Sequence, residues 1–218
     1  MIIDNYQVMT DILKITQWID DNSKSIIANI DQESIDVYNF IKDEYSATNV
    51  VDNLLFQFVF RSFYRLDNAG LTPEFKKEYF AIMQEYRNEA ELDFKDVLSR
   101  LYAFPNRRGY NTVQFSFVTK LFNTIDGSIP IYDSEVAKMF SMTRPYNKEF
   151  EVKLTKYLIQ LDRIKEGYRY IRDNDLLKDA IFLFDEVFTK HNLSDMKRLD
   201  FIFWSAGKVK GRMERQIM

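Results

Sequence analysis

The sequence contains no cysteine and a single histidine, His191. Without cysteine, the chain has no disulfide, no iron–sulfur cluster and no thiol nucleophile, which is typical of proteins of the reducing cytoplasm. One histidine argues against a histidine-rich metal site. We therefore expect neither a metal nor another cofactor, and we expect a cytoplasmic location.

Proline and glycine are also scarce, with four prolines and six glycines among 218 residues. So few chain-breaking residues argue against long disordered linkers. The most apolar run, residues 54–66, is interrupted by Gln57, Arg61 and Arg65. It is too short and too charged to cross a bilayer, so we expect no membrane partner.

Apolar residues are plentiful, with 19 phenylalanines and 13 tyrosines, and they recur at helical spacing nearly everywhere. No segment alternates convincingly as a strand would, so the sequence predicts an all-α fold. The segment 51–66 is apolar on most faces and is predicted to be central and buried. The predicted helices cover residues 6–20, 33–45, 51–66, 73–88, 93–103, 111–125, 134–141, 148–172, 176–190 and 194–207.

Charge is unevenly distributed along a chain whose net charge is −3. Residues 1–50 carry nine acids and three bases, and we interpret them as an acidic helical extension packed on a main domain of residues 51–218. One continuous fold is expected, and the acidic helices are a candidate docking surface for a protein partner. Residues 103–148 carry six bases against three acids, and residues 190–218 seven against three. These surpluses allow a local phosphate-binding face, or they are ordinary scatter on a solvated surface.

Two neighbouring segments carry the most informative residues. In Gln114–Leu121 a lone lysine, Lys120, lies within an apolar helical run. In Pro130–Val136, Asp133 opens the next helix, where it can cap the helix N-terminus. An apolar environment lowers the pKa of a lysine amine and makes it nucleophilic. Taken alone, Lys120 is more simply a surface lysine with its stem on an apolar face, and Asp133 an ordinary cap.

These segments resemble the helix–hairpin–helix DNA glycosylase superfamily, and within it the bacterial 8-oxoguanine-DNA-glycosylase-like proteins. The resemblance extends over roughly residues 50–208 and includes the late segment Leu199–Lys208. It implies a helix–hairpin–helix glycosylase-like helical bundle. By the same resemblance, Lys120 matches the family's Schiff-base lysine and Asp133 its catalytic aspartate.

The implied activity is excision of a damaged or modified base after the nucleotide is flipped into a pocket. The Lys120 amine would attack the anomeric carbon of the sugar and expel the base, and the Schiff base could then cleave the strand. Asp133 would stabilise positive charge developing on the sugar. The predicted DNA contacts are the phosphate-binding Arg107 and Arg108, the base-stacking Phe117 and Tyr132, and the hairpin residues Ser116 and Thr119.

The chain departs from the family in two respects. The hairpin lacks the two glycines that let backbone N–H groups approach a phosphate, and the interval from Lys120 to Asp133 is shorter than usual. These departures and the overall acidity favour an alternative, a catalytically inactive helical module that binds DNA or a protein on the same fold. In that case Arg107 and Arg108 belong to a solvated turn.

Overall fold

The computed structural model describes residues 5–89 and 91–217. These residues form helices and turns with no β-strand among them, so the predicted all-α class is confirmed. None of the helices in these ranges is long and apolar enough to cross a membrane. The α-helices are α1 (Asn5–Asp21), α2 (Ser23–Ile27), α3 (Gln32–Ala47), α4 (Leu54–Phe63), α5 (Pro73–Glu85), α6 (Phe94–Tyr102), α7 (Phe115–Ile125), α8 (Ser134–Met139), α9 (Phe150–Asp173), α10 (Lys178–Val187) and α11 (Asp195–Ile217). Two 3-10 helices cover Leu66–Ala69 and Tyr86–Asn88.

Local capping chemistry explains several of the helix starts. The Thr72 hydroxyl accepts a hydrogen bond from the Phe75 amide, and Pro73 occupies the first turn, where its missing N–H is not needed. The Ser194 hydroxyl accepts one from the Lys197 amide in the same way. Helix α9 begins at Phe150, two residues after the predicted start at residue 148.

The chain divides into two compact units that interleave along the sequence. The terminal unit comprises the described residues through Gln32, together with Tyr132–Pro145 and Leu158 onward. The middle unit comprises Glu33–Ile131 and Tyr146–Tyr157. The predicted acidic extension, residues 1–50, is therefore shared between the units, and its first four residues lie outside the described ranges.

Aromatic side chains dominate the interior of the middle unit. Phe60 of α4 contacts Tyr79 of α5 with ring centroids 5.8 Å apart. Phe115, the first residue of α7, stacks on Tyr157 of α9 at 4.7 Å. Burial of such large rings supplies much of the hydrophobic stabilisation, and it surrounds α7 with apolar groups.

In the terminal unit, α8 packs closely against α11. A Cβ atom built on Gly207 of α11 would lie 2.3 Å from the carbonyl oxygen of Glu135 in α8, so only glycine permits this approach. Gly207 was expected at the end of the last helix, yet α11 continues through it to Ile217. Tight packing against α8 accounts for a glycine inside this helix, despite its low helix propensity.

Helix α4 differs from the expectation of a central, buried helix. Phe56 and Phe60 face the interior and are fully buried, but Leu54, Leu55 and Phe58 are 75%, 62% and 59% exposed. A helix that is apolar all round carries no sequence signal for which face is covered. The prediction was wrong because the chain covers only one of its faces.

Candidate functional site

Lys120 lies inside the protein rather than at its surface. Helix α7 is buried continuously from Val118 to Thr124, and Lys120 is only 8% exposed. Its Nζ donates a hydrogen bond to the Ser116 hydroxyl at 3.2 Å, one helical turn earlier. The interpretation of Lys120 as an ordinary surface lysine is therefore wrong.

Two aromatic rings contribute to the surroundings of the Lys120 amine. Its Nζ lies 5.1 Å from the ring centroid of Phe117 and 5.8 Å from that of Tyr64. Aromatic faces attract a cation, and they also keep the amine away from bulk water. Phe117, predicted to stack on a base, is thus a neighbour of the candidate nucleophile.

Tyr64 and Tyr79 carry no motif signal in the sequence, and only the fold brings them to this region. The buried Tyr79 hydroxyl donates a 2.7 Å hydrogen bond to the carbonyl oxygen of Phe117 in the first turn of α7. Burial raises the pKa of Tyr79 well above its ordinary value. Tyr79 therefore remains a neutral donor and fixes the backbone three residues before Lys120.

Ser116 and Thr119, both predicted DNA contacts, take part in the local structure of α7. Ser116 is half-buried, and its hydroxyl accepts a hydrogen bond from the Lys120 amine. Thr119 is fully buried, and its hydroxyl donates to the Ser116 carbonyl oxygen at 2.9 Å. Ser116 thus positions the candidate nucleophile, while the DNA contacts of both residues stay predictions.

A second lysine, Lys42 of α3, contacts the other end of α7. Its Nζ donates a 2.6 Å hydrogen bond to the Thr124 carbonyl oxygen in the last turn. Burial lowers the pKa of Lys42, and the Asp126 carboxylate partly opposes that shift. No motif or spacing in the sequence points to Lys42, which provides a matched comparison for Lys120.

Asp133 caps α8 in the terminal unit, as predicted from its position before an apolar run. Its carboxylate accepts a 2.9 Å hydrogen bond from the Glu135 amide, and its carbonyl oxygen accepts one from the Ala137 amide. The side chain is half-buried. A carboxylate in this position caps the helix, and a carboxylate is also a group that can stabilise a developing positive charge.

Tyr168 and Asp200 are further ionisable groups of the terminal unit, and the charge of Asp133 acts on the first of them. Burial raises the pKa of Tyr168 of α9 well above its ordinary value, and the charges of Asp200 and Asp133 add to this shift. Asp200 of α11 is buried, and its carboxylate lies 3.7 Å from the amine of the equally buried Lys197. Asp200 therefore pairs with a base that lies one turn earlier in the same helix.

Tyr132, predicted to stack on a base, is 6% exposed. Its hydroxyl donates a 2.7 Å hydrogen bond to Gln160 of α9, whose amide donates to the Thr143 carbonyl oxygen. This network holds the segment that leads into Asp133. Stacking of Tyr132 on a base stays a prediction.

Arg107 and Arg108 lie on an exposed turn of the middle unit. The Asn106 side chain organises this turn by accepting hydrogen bonds from the amides of Arg108 and Tyr110. The Arg107 amide donates to the Gly70 carbonyl oxygen at 2.8 Å, and Gly109 adopts a positive φ of 80°. The two guanidinium groups therefore project from a fixed backbone, as predicted phosphate contacts require.

Within the described ranges, no group of three or more His, Asp or Glu side chains is arranged to hold a metal ion. Comparison of the chain with models of known protein families, with curated proteins and with solved structures finds no match.

Proposed function

We propose that the protein is a lysine-dependent DNA glycosylase that excises a damaged or modified base, built on a helix–hairpin–helix glycosylase-like bundle. The observation that carries the proposal is the burial of Lys120 beside a hydroxyl and two aromatic rings. Burying an amine is energetically unfavourable, so a buried lysine needs an explanation, and a catalytic role provides one. The motif segments around Lys120 and Asp133 indicate which chemistry the amine performs.

The proposed reaction requires a neutral amine at Lys120. Its nitrogen bonds to C1′ of the flipped nucleotide, while the C1′–N bond breaks and the base leaves with the electron pair. The nitrogen then loses a proton, the sugar ring opens, and a Schiff base joins Lys120 to C1′. Loss of a C2′ proton with cleavage of the C3′–O bond would nick the strand. Asp133, which matches the family's catalytic aspartate, is proposed to stabilise positive charge on the sugar during the first step.

DNA is the proposed partner. Arg107 and Arg108 are proposed to bind backbone phosphates, since their turn is exposed and its backbone is fixed by Asn106. Contacts of this kind orient the strand without selecting its sequence. Selection of the lesion would then depend on the pocket that receives the flipped base.

Borohydride trapping on an oligonucleotide with an abasic site tests the lysine mechanism directly. The Lys120 amine is expected to condense with the C1′ aldehyde, releasing water, and borohydride then reduces the imine to a stable amine. We expect a covalent complex with the natural protein and none with Lys120→Ala. A folded protein that gives no complex, but binds DNA in a salt-dependent way, would instead support the inactive binding module.

Asp133→Asn is expected to lower the rate of base excision about a hundredfold or more, because the charge beside the sugar is lost. Stability should change little, since asparagine caps helices about as well as aspartate. Excision kinetics and thermal unfolding measure the two effects separately.

Asp93→Asn is the matched control, because Asp93 caps α6 by accepting hydrogen bonds from the Lys95 and Asp96 amides. It should leave excision unchanged. Equal rates for the two variants would remove Asp133 from the mechanism.

A further inference from the structure

Helix α4 presents a continuous apolar stripe to solvent. Leu54, Leu55 and Phe58 lie in the first turns of α4 at helical spacing, Val51 lies in the turn that precedes the helix, and all four are at least 40% exposed. The opposite face of α4 is already covered, because Phe56 and Phe60 are fully buried. Contiguous exposed apolar groups of this kind mark interaction surfaces.

This stripe borders a groove of about 600 Å³ in the middle unit. Val51 and Leu54 line it from the α4 side, and Pro73 and Phe80 line it from α5. Its walls thus combine apolar side chains from two helices. Grooves between helices are common binding sites for an additional amphipathic helix.

The charged groups lining the groove are mostly basic. Arg61, Lys76, Lys77 and Arg107 contribute four positive charges, and Asp67 contributes the single negative charge. Asp67 is already engaged, because its carboxylate lies 3.3 Å from Arg61 and 2.5 Å from Lys76. The hydrogen bond from Lys76 keeps the pKa of Asp67 below its ordinary value, so its charge persists. The groove therefore has a net positive charge that an occupant must complement.

We propose that the α4 groove binds an acidic, amphipathic helical segment of a partner protein. The apolar residues of that segment would pack on Leu54 inside the groove and on Leu55 and Phe58 beside it, while its carboxylates would face Lys77. A nucleic acid would use the basic groups but would leave the apolar stripe exposed. The combination of stripe and charge therefore favours a protein segment, and it adds a partner to the proposed excision activity.

The test is fluorescence anisotropy with the full chain and a labelled peptide of about 16 residues, with Leu and Phe at i, i+3, i+4 and i+7 and Glu elsewhere. We expect salt-sensitive binding that weakens about fivefold or more in Phe58→Ser and in Lys77→Glu. A peptide of the same composition in scrambled order should bind more weakly. Both variants alter exposed side chains, so folding should be preserved.

Matched controls come from the terminal unit, where Phe182 is 67% exposed and Lys190 is also exposed. Phe182→Ser and Lys190→Glu are expected to leave peptide affinity unchanged.

No peptide binding, or equal weakening in the control variants, would overturn the proposal. So would binding of an oligonucleotide instead of the peptide, weakened by Lys77→Glu alone. A self-association that Phe58→Ser abolishes would assign the groove to a second copy and would equally overturn it. Abasic-site trapping tests Lys120 and does not involve the α4 groove. Failure of the glycosylase proposal is therefore distinguishable from failure of the groove proposal.

Discussion

Replacing Lys120 with methionine is expected to abolish base excision and to leave the stability of the protein nearly unchanged. Methionine has a similar length and fills the same space without a charge. Because Lys120 is only 8% exposed, the substitution removes an unfavourably buried amine but also its hydrogen bond to Ser116, so the free energy of unfolding should change by less than about 1 kcal/mol. Removing a nucleophile should lower the excision rate by about a thousandfold or more. Single-turnover excision and urea unfolding followed by circular dichroism measure these two changes.

For Lys42→Met, in the same unit, we expect the opposite pattern: a loss of stability with no loss of excision. The Lys42 amine donates to the Thr124 carbonyl oxygen, one of the last carbonyls of α7, which have no partner within the helix. Its loss should lower the free energy of unfolding by about 1 kcal/mol and leave excision intact. If Lys120→Met instead lost stability as Lys42→Met does, and kept its activity, Lys120 would be a structural residue.

The helices were largely predictable because periodicity reports directly on which residues are buried. Within the predicted helix 148–172, six apolar residues are spaced in alternating steps of three and four, and the structure buries all of them. These positions are Leu154, Tyr157, Leu161, Ile164, Tyr168 and Ile171. The start of α7 was less predictable, since residues 111–114 are not helical and the Asn111 side chain donates to the Tyr102 carbonyl oxygen. Such a contact joins separate segments and leaves no periodic trace.

The candidate site was predictable only in part for the same reason. The Asp133 cap follows from local chemistry, and the apolar run around Lys120 indicated that its amine could be buried. Tyr64, Tyr79 and Lys42 reach α7 from other helices, so no spacing in the sequence connects them with Lys120. The exposed face of α4 was likewise unpredictable, because its composition resembles that of a core helix. The chemical roles of Lys120 and Asp133 stay predictions.

Gly207→Ala is expected to destabilise the protein by about 3 kcal/mol, the upper end of the usual range for an overpacked contact. The new methyl carbon would lie 2.3 Å from the Glu135 carbonyl oxygen and 2.7 Å from its carbonyl carbon. Both atoms belong to the backbone, so no side-chain rotation relieves the clash, and α8 must move away from α11. Asp133 precedes Glu135 by two residues and caps α8, so its carboxylate would move with the helix. Under conditions in which the variant is folded, excision should therefore fall about tenfold or more.

Gly127→Ala separates this effect from the general consequences of replacing a glycine. A Cβ atom at Gly127 would meet nothing within 4 Å, and its φ lies outside the left-handed region. This substitution should be neutral or slightly stabilising, because it reduces the conformational freedom of the unfolded chain. Urea unfolding and excision kinetics on both variants provide the comparison.

If Gly207→Ala lost stability but its folded fraction excised bases at the natural rate, catalysis would not depend on where α8 places Asp133. A parallel loss of stability and rate, absent from Gly127→Ala, would show that the close α8–α11 contact positions the catalytic carboxylate.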